Sequence, residues 1–241
     1  MMKTPPWKAT RERNHEMLLS EGSSWHTRTR TTTLTSLRDA ESMKIVRLTP
    51  SNAAEYRALM LHAYASENDA FTPTVAEREP LPLAWWELRV SDRPHPSQLV
   101  LGAFVGKQLV GVVGLRFETR TRTRHKATLF GMFVQPRFRG RDIGRALISA
   151  LLEHARLRPG TEVISLSVTE SNEAAVRLYT SCGFAPFGIE PLANKVDDRY
   201  VSLVHMWRHI DPSTIARNPA SASALGKPTS STDSEIPSSK T

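Results

Sequence analysis

The sequence predicts a single α/β domain over about residues 43–210, with a polar tail at each end. Three observations predict it. Short apolar runs that read as strands interleave with longer runs of helical period. The two ends are poor in apolar residues: 1–42 are rich in Thr, Ser and Arg, and 211–241 in Ser, Thr, Pro and Ala. Neither end can bury enough apolar surface to offset its ordering entropy, so both are expected to be disordered. The stretch between them shows no internal repeat and is long enough for one sizeable core.

The elements follow in order. Lys44-Ile45-Val46-Arg47-Leu48 reads as a strand. Thr49 to Asn52 supplies turn and capping residues before a helix over 53–65, whose apolar stripe is Tyr56, Leu59, Met60 and Ala63. Residues 67–82 contain three prolines and read as a loop. A short helix over 83–90 carries Trp85 and Trp86 and ends before Pro94 and Pro96. Runs 98–105 and 108–117, joined by Gly106-Lys107, read as a hairpin. The Arg/Thr stretch 116–126 follows as an exposed turn, then an apolar strand over 127–134. A basic, glycine-bearing loop leads into a helix over 143–157, which Pro159-Gly160 stops. Next come a strand over 163–168 and a helix over 172–182, with Gly183 as its left-handed terminator. Strands over 184–188 and 200–207 close the order β-α-α-β-β-β-α-β-α-β-β.

Composition narrows the function classes. A net charge of +8 points to an anionic partner: nucleic acid, acidic membrane or a phosphorylated small molecule. A scattered solvated surface explains the charge equally well. The Arg/Thr stretch lacks interleaved aromatics for base stacking, so nucleic acid is not expected as a partner. The single cysteine, Cys182, excludes an internal disulfide and a cysteine-based zinc site. No apolar run approaches the ~18 residues of a membrane span, so no membrane partner is expected. The N-terminus has no apolar signal segment, and the expected compartment is cytoplasmic. The strand signal immediately after Met43 raises the expectation that translation starts there. The intact mass of the native protein checks it.

The chemistry-bearing segment runs from 127 to 183. After the strand comes Gln135-Pro136-Arg137-Phe138-Arg139-Gly140-Arg141-Asp142-Ile143-Gly144-Arg145, which opens a helix. Unpaired backbone N–H groups at a helix start carry partial positive charge and suit a pyrophosphate. Glycine lets a phosphate approach the backbone closely. The loop is neither a Walker loop nor a dinucleotide fingerprint. On its own it fits an ordinary strand-to-helix turn equally well.

Arg139-Gly140-Arg141-Asp142-Ile143-Gly144 resembles the coenzyme A loop of the GNAT superfamily of N-acetyltransferases, [Q/R]-x-x-G-x-[G/A]. Further on, Asn172-Glu173-Ala174-Ala175-Val176-Arg177-Leu178-Tyr179, ending in Gly183-Phe184, resembles that family's N-x-x-A-x-x-L-Y…GF segment. The resemblance implies a mixed, mostly antiparallel central sheet flanked by helices, with splayed parallel strands at the cofactor site. It implies transfer of an acetyl group from acetyl-CoA to an amine by direct attack. The acceptor would be a small-molecule or peptide amine, and a homodimer is left open. The implied cofactor contacts are Met132, Phe133 and Val134 on the splayed strand, with Arg139, Gly140, Arg141, Asp142, Ile143, Gly144 and Arg145 in the loop. Asn172 and Tyr179 on the next helix complete them.

The resemblance makes Tyr179 the acid that protonates the departing thiolate. Strand 127–134 holds no acid, so Glu170, just beyond strand 163–168, is the nearest candidate base. His125 and His205 are further options, as is a water chain. Each candidate also has a plain structural role: a core aromatic for Tyr179, a helix-start carboxylate for Glu170, a helix cap for Asn172. One departure stands out, because Asp142 occupies the first motif glycine. At a helix start it can act as a cap, point to solvent, or weaken phosphate binding. That departure and the unassigned base keep an alternative open: a coenzyme-A-binding regulatory module with little catalysis.

Overall fold

The computed structural model describes residues 43–211. The tails expected at 1–42 and 212–241 lie outside the described residues. The strands are β1 (Met43–Arg47), β2 (Gln98–Val105), β3 (Gln108–Phe117), β4 (Lys126–Val134), β5 (Val163–Thr169), β6 (Ala185–Val196) and β7 (Arg199–His209). The helices are α1 (Ala53–Ser66), α2 (Val75–Arg78), α3 (Leu83–Arg89), α4 (Ile143–Arg156) and α5 (Glu173–Ser181). The strands form one sheet in the order β1-β2-β3-β4-β5-β7-β6. Every neighbouring pair is antiparallel except β4 and β5, which run parallel.

Helices cover both faces of the sheet, which is why the central strands are apolar on both sides. In β3 the run Leu109–Leu115 is buried without interruption. On one face, α4 presents Leu147, Ile148, Leu151, Leu152 and Ala155 at helical spacing. These pack with Val110, Val113, Leu129, Ile164 and Leu166 of the sheet. On the other face, α1 and α3 bring Tyr56, Leu59, Met60 and Trp86 against Val100, Val112 and Phe133. Alternation of side chains along each strand sends neighbouring residues to the two cores.

Two expectations need correction. The loop expected over 67–82 contains a 3-10 turn at Asn68–Ala70 and the one-turn helix α2. A reciprocal capping box makes α2: Thr74 Oγ1 accepts from the Glu77 amide at 3.3 Å, and Glu77 Oε2 accepts from the Thr74 amide at 2.9 Å. The three prolines flank that turn instead of breaking it. The last hairpin is also longer than the expected strands at 184–188 and 200–207: β6 has 12 residues and β7 has 11. Gly188, Pro191 and Asn194 conceal the extension in sequence. The structure absorbs them in register shifts between Pro186 and Gly188 and between Glu190 and Asn194.

Leu147 is fully buried between α4 and the sheet. Leu147→Ala should lower unfolding free energy by about 2–5 kcal/mol in urea denaturation. Leu157→Ala, at a residue 80% exposed, should stay within about 0.5 kcal/mol.

Candidate active site

Pairing between β4 and β5 is short. It joins Lys126 to Val163, Ala127 to Ile164 and Thr128 to Ser165, and then stops. The cause lies on the other side of β4. Phe130 pairs with Gly114 and Phe133 with Val112, so Gly131 and Met132 stand opposite the single residue Val113. Gly131 takes the positive φ of 60° that this bulge requires. The bulge bends β4, and its last residues leave β5.

A cleft of about 350 Å³ opens where the strands part. Met132, Phe133 and Val134 form one wall, Ile143, Gly144 and Arg145 the floor, and Asn172, Ala175 and Leu178 of α5 the opposite wall. Glu67, Ala70 and Phe71, from the end of α1 and the turn after it, close the mouth. The walls meet closely at Gly144. A Cβ there would lie 3.0 Å from the Leu178 side chain and 3.3 Å from that of Met132.

The loop before α4 is built to leave amides free. Gly140 has φ 75° and Asp142 has φ 56°, both left-handed. A Cβ at Gly140 would meet nothing within 4 Å, so that glycine is required by its angle and not by crowding. The helical ladder of α4 starts with the Ala146 amide, which donates to the Asp142 carbonyl at 3.0 Å. The amides before it lie at the positive end of a 14-residue helix. At the head of α5, Asn172 Oδ1 accepts from the Ala175 amide at 3.1 Å.

A split parallel pair with a phosphate-suited helix start in the gap is the arrangement that the sequence resemblance implies. Residues 60–184 match the sequence profile of the Acetyltransferase (GNAT) family. The chain belongs to that family. It is 32% identical over 152 residues to the N-alpha-acetyltransferase RimI of Mycobacterium tuberculosis, covering 63% of this chain and 84% of that protein. It is 29% identical over 123 residues to an L-amino acid N-acetyltransferase of Escherichia coli, covering 51% of this chain and 74% of that one. An acetyltransferase of Salmonella typhimurium, solved with its cofactor acetyl-CoA, shares the fold: TM-score 0.59, 24% identity, 70% of this chain and 94% of that one.

Within this GNAT fold most of the family-matched residues line the cleft. Met132, Phe133, Val134, Arg139, Gly140, Asp142, Ile143, Gly144, Arg145 and Asn172 all border the cleft. Arg141 does not, and its guanidinium lies 5.4 Å from the Phe138 ring centroid. Arg139 is already engaged. It donates from Nε to the Val134 carbonyl at 3.0 Å and from Nη2 to Glu67 Oε1 at 2.7 Å. This ties the loop to the end of α1.

Asp142 behaves differently from a helix cap. It makes no side-chain cap bond, and its side chain is 91% exposed, 3.9 Å from Arg145 Nε. It takes a left-handed angle at the position where the motif has glycine, and its side chain is open to solvent.

The two acid–base candidates do not meet. Tyr179 is 6% exposed, packs its ring edge-on to Phe184 at 5.9 Å, and is not part of the cleft wall. Burial pushes its phenol well above the usual tyrosine range, and nearby Cys182 adds to the shift. Glu170 is exposed just past β5, and its amide donates to the Ser202 carbonyl at 3.0 Å. His125 sits at the far end of the β4–β5 seam, where its carbonyl accepts from the Glu162 and Val163 amides. Trp86 is fully buried, and Trp85 is half-buried between Arg78 and Arg89, each about 4.8 Å from its ring.

Sequence reasoning left several cleft residues unassigned. Ala175 and Leu178 stand inside the quoted motif, one and two turns from its start, so helical spacing could have found them. Phe138 lay between two arginines that drew attention away from it. Glu67, Ala70 and Phe71 lie in a segment, 67–72, whose sequence resembles an acceptor-side loop of related enzymes, and the Arg139 contact 72 residues away sets Glu67 at the cleft.

The left-handed angle at Asp142 yields a stability prediction. Asp142→Val should melt lower than Asp142→Gly by about 1–2 kcal/mol of unfolding free energy, since a β-branched residue tolerates that angle poorly. Parallel thermal denaturation of the two variants measures it.

Proposed function

We infer that this acetyltransferase moves an acetyl group from acetyl-CoA to an amine, and that the β4–β5 cleft receives the acetyl-CoA. The early end of the β4–β5 pairing carries the reading, because it leaves strand-edge backbone groups beside free helix amides. The residues fit the molecule they would hold. A pyrophosphate suits the amides of Gly140 to Gly144, with Arg145 on the cleft floor to screen its charge. The amide-bearing pantetheine arm suits the unpaired edge of β4 at Met132–Val134.

When bound, acetyl-CoA supplies an acyl carbon activated as a thioester. Amides near Phe133 and Val134 would stabilise the oxygen on which negative charge develops. Asn172 fixes the start of α5, so that Ala175 and Leu178 hold the wall opposite β4. Tyr179 keeps its proton across the working pH range and is the group of α5 assigned to donate toward the departing sulfur. The acceptor is an amine borne by an amino acid or a peptide. Support for that class comes from the names of the two relatives, one acting on N-alpha groups and the other on L-amino acids.

Acetyl-CoA at about 100 times its dissociation constant should raise unfolding free energy by about 2.7 kcal/mol, read as an upward thermal shift. Tyr179→Phe should keep that shift and lower kcat by about 10²–10⁴. A wild-type chain that shows no shift would remove the reading. A Tyr179→Phe variant with full kcat would remove only the role given to Tyr179.

A further inference from the structure

On the face of the sheet away from α4, three adjacent strands place three side chains in a line. Ser167 Oγ of β5 lies 2.8 Å from His205 Nδ1 of β7. His205 Nε2 lies 2.9 Å from Glu190 Oε2 of β6. Ser167 and His205 are registered partners across the β5–β7 ladder, so the contact is fixed by strand pairing. The Phe187 ring lies against the imidazole at 5.8 Å.

The direction of the chain of hydrogen bonds is settled by chemistry. A carboxylate only accepts, so His205 Nε2 carries the hydrogen that reaches Glu190. His205 Nδ1 is then the lone-pair nitrogen, and the Ser167 hydroxyl donates to it. The serine oxygen keeps its lone pairs for another donor. Ser167 is exposed, and the His205 side chain is 29% exposed.

The line also lies beside the gap. Leu166 and Val168 point into the α4 core, so Ser165, Ser167 and Thr169 point to the other side. Thr169 Oγ1 donates to the Asp69 carbonyl at 2.6 Å, which puts the turn carrying Ala70 and Phe71 over that same face. Those two residues close the cleft mouth. The last residue of β5 that pairs with β4 is Ser165, and Ser167 follows it by two residues, about 6–7 Å along the strand.

Resting on the acetyltransferase reading, we propose that Ser167, His205 and Glu190 form a relay that removes the proton from the acceptor ammonium. The ammonium gives one proton to Ser167 Oγ as the serine's own proton passes to His205 Nδ1. The imidazolium so formed faces the Glu190 carboxylate. The freed amine nitrogen forms the new N–C bond as the C–S bond breaks. The departing sulfur takes the Tyr179 proton, Tyr179 regains one from the amine nitrogen, and water takes the one held by His205. Ser167 is the catalytic residue of the relay; His205 and Glu190 are positioning residues that act through it.

Few other charges bear on His205. Glu190 faces it from β6, and Arg199 and His209 lie on the same side of β7. Asp69, from the turn after α1, is paired with Arg199 at 3.3 Å. On that side β5 offers only Ser165, Ser167 and Thr169, and Glu170 follows the strand.

The test uses the full chain, acetyl-CoA and a panel of L-amino acid amides as acceptors. Ser167→Ala and His205→Gln should each lower kcat by about 10²–10⁴, with the acetyl-CoA thermal shift unchanged. The acidic limb of the wild-type kcat/KM profile should reflect an imidazole and should be absent in His205→Gln. Nitrogen-15 NMR of the resting protein should show His205 protonated at Nε2, with a changed Nδ1 resonance in Ser167→Ala. Wild-type turnover in both variants, a retained acidic limb in His205→Gln, or a proton on Nδ1 would each overturn the relay. A wild-type chain without an acetyl-CoA shift would remove the acetyltransferase reading and the relay with it. A shift with unaffected variants would remove the relay alone.

Discussion

Gly131 and Met132 face a single residue of β3, and that mismatch governs the middle of the molecule. A sheet normally satisfies every interior strand on both edges. Here an interior strand loses one edge after three paired positions. The unpaired stretch survives because packing holds it from both sides. Leu147 and its neighbours lie beneath it, and Phe133 is anchored in the α1 core above. The cleft, the seat of the α4 amides and the exposure of β5 beyond Ser165 all follow from the bend. Gly131 tolerates the bend because it has no Cβ to resist φ 60°.

The fold was legible in the sequence to the extent that periodicity was local. The α4 stripe, the Gly106-Lys107 hairpin and the left-handed Gly183 could each be read from neighbouring residues. The long β6–β7 ribbon could not, because its glycine, proline and asparagine are absorbed by register shifts that only the partner strand defines. The site divides in the same way. Most of the loop motif residues and Asn172 border the cleft, while Arg141 and Tyr179 do not. The contacts of Glu67, Ser167 and Glu190 are another matter. Each acquires a partner from a distant element, and sequence carries no trace of such a pairing without the strand order.

Charge illustrates the limit of composition. The loop between β4 and α4 reads as a cluster of free cations, yet its arginines are largely occupied. Arg139 holds Glu67 and the Val134 carbonyl, Arg137 and Arg141 lie by the Phe138 ring, and Arg145 sits near Asp142. These contacts are exposed, and each contributes little to stability. Their effect is to hold the loop in one shape. Asp142 shows the same separation of shape from charge. It holds a left-handed backbone angle at the position that the family pattern writes as glycine, and its carboxylate is open to solvent.

The three-pair seam between β4 and β5 also gives the sheet a mechanical character. One leaf is β1 to β4 and the other is β5, β7 and β6, and the backbone stitches between their edges are confined to residues 125–128 and 162–165. Beyond those stitches, α4 spans the join through side chains alone. A seven-stranded sheet with all six ladders continuous would resist shear evenly. This one concentrates compliance along a single line, and that line is the wall of the cleft.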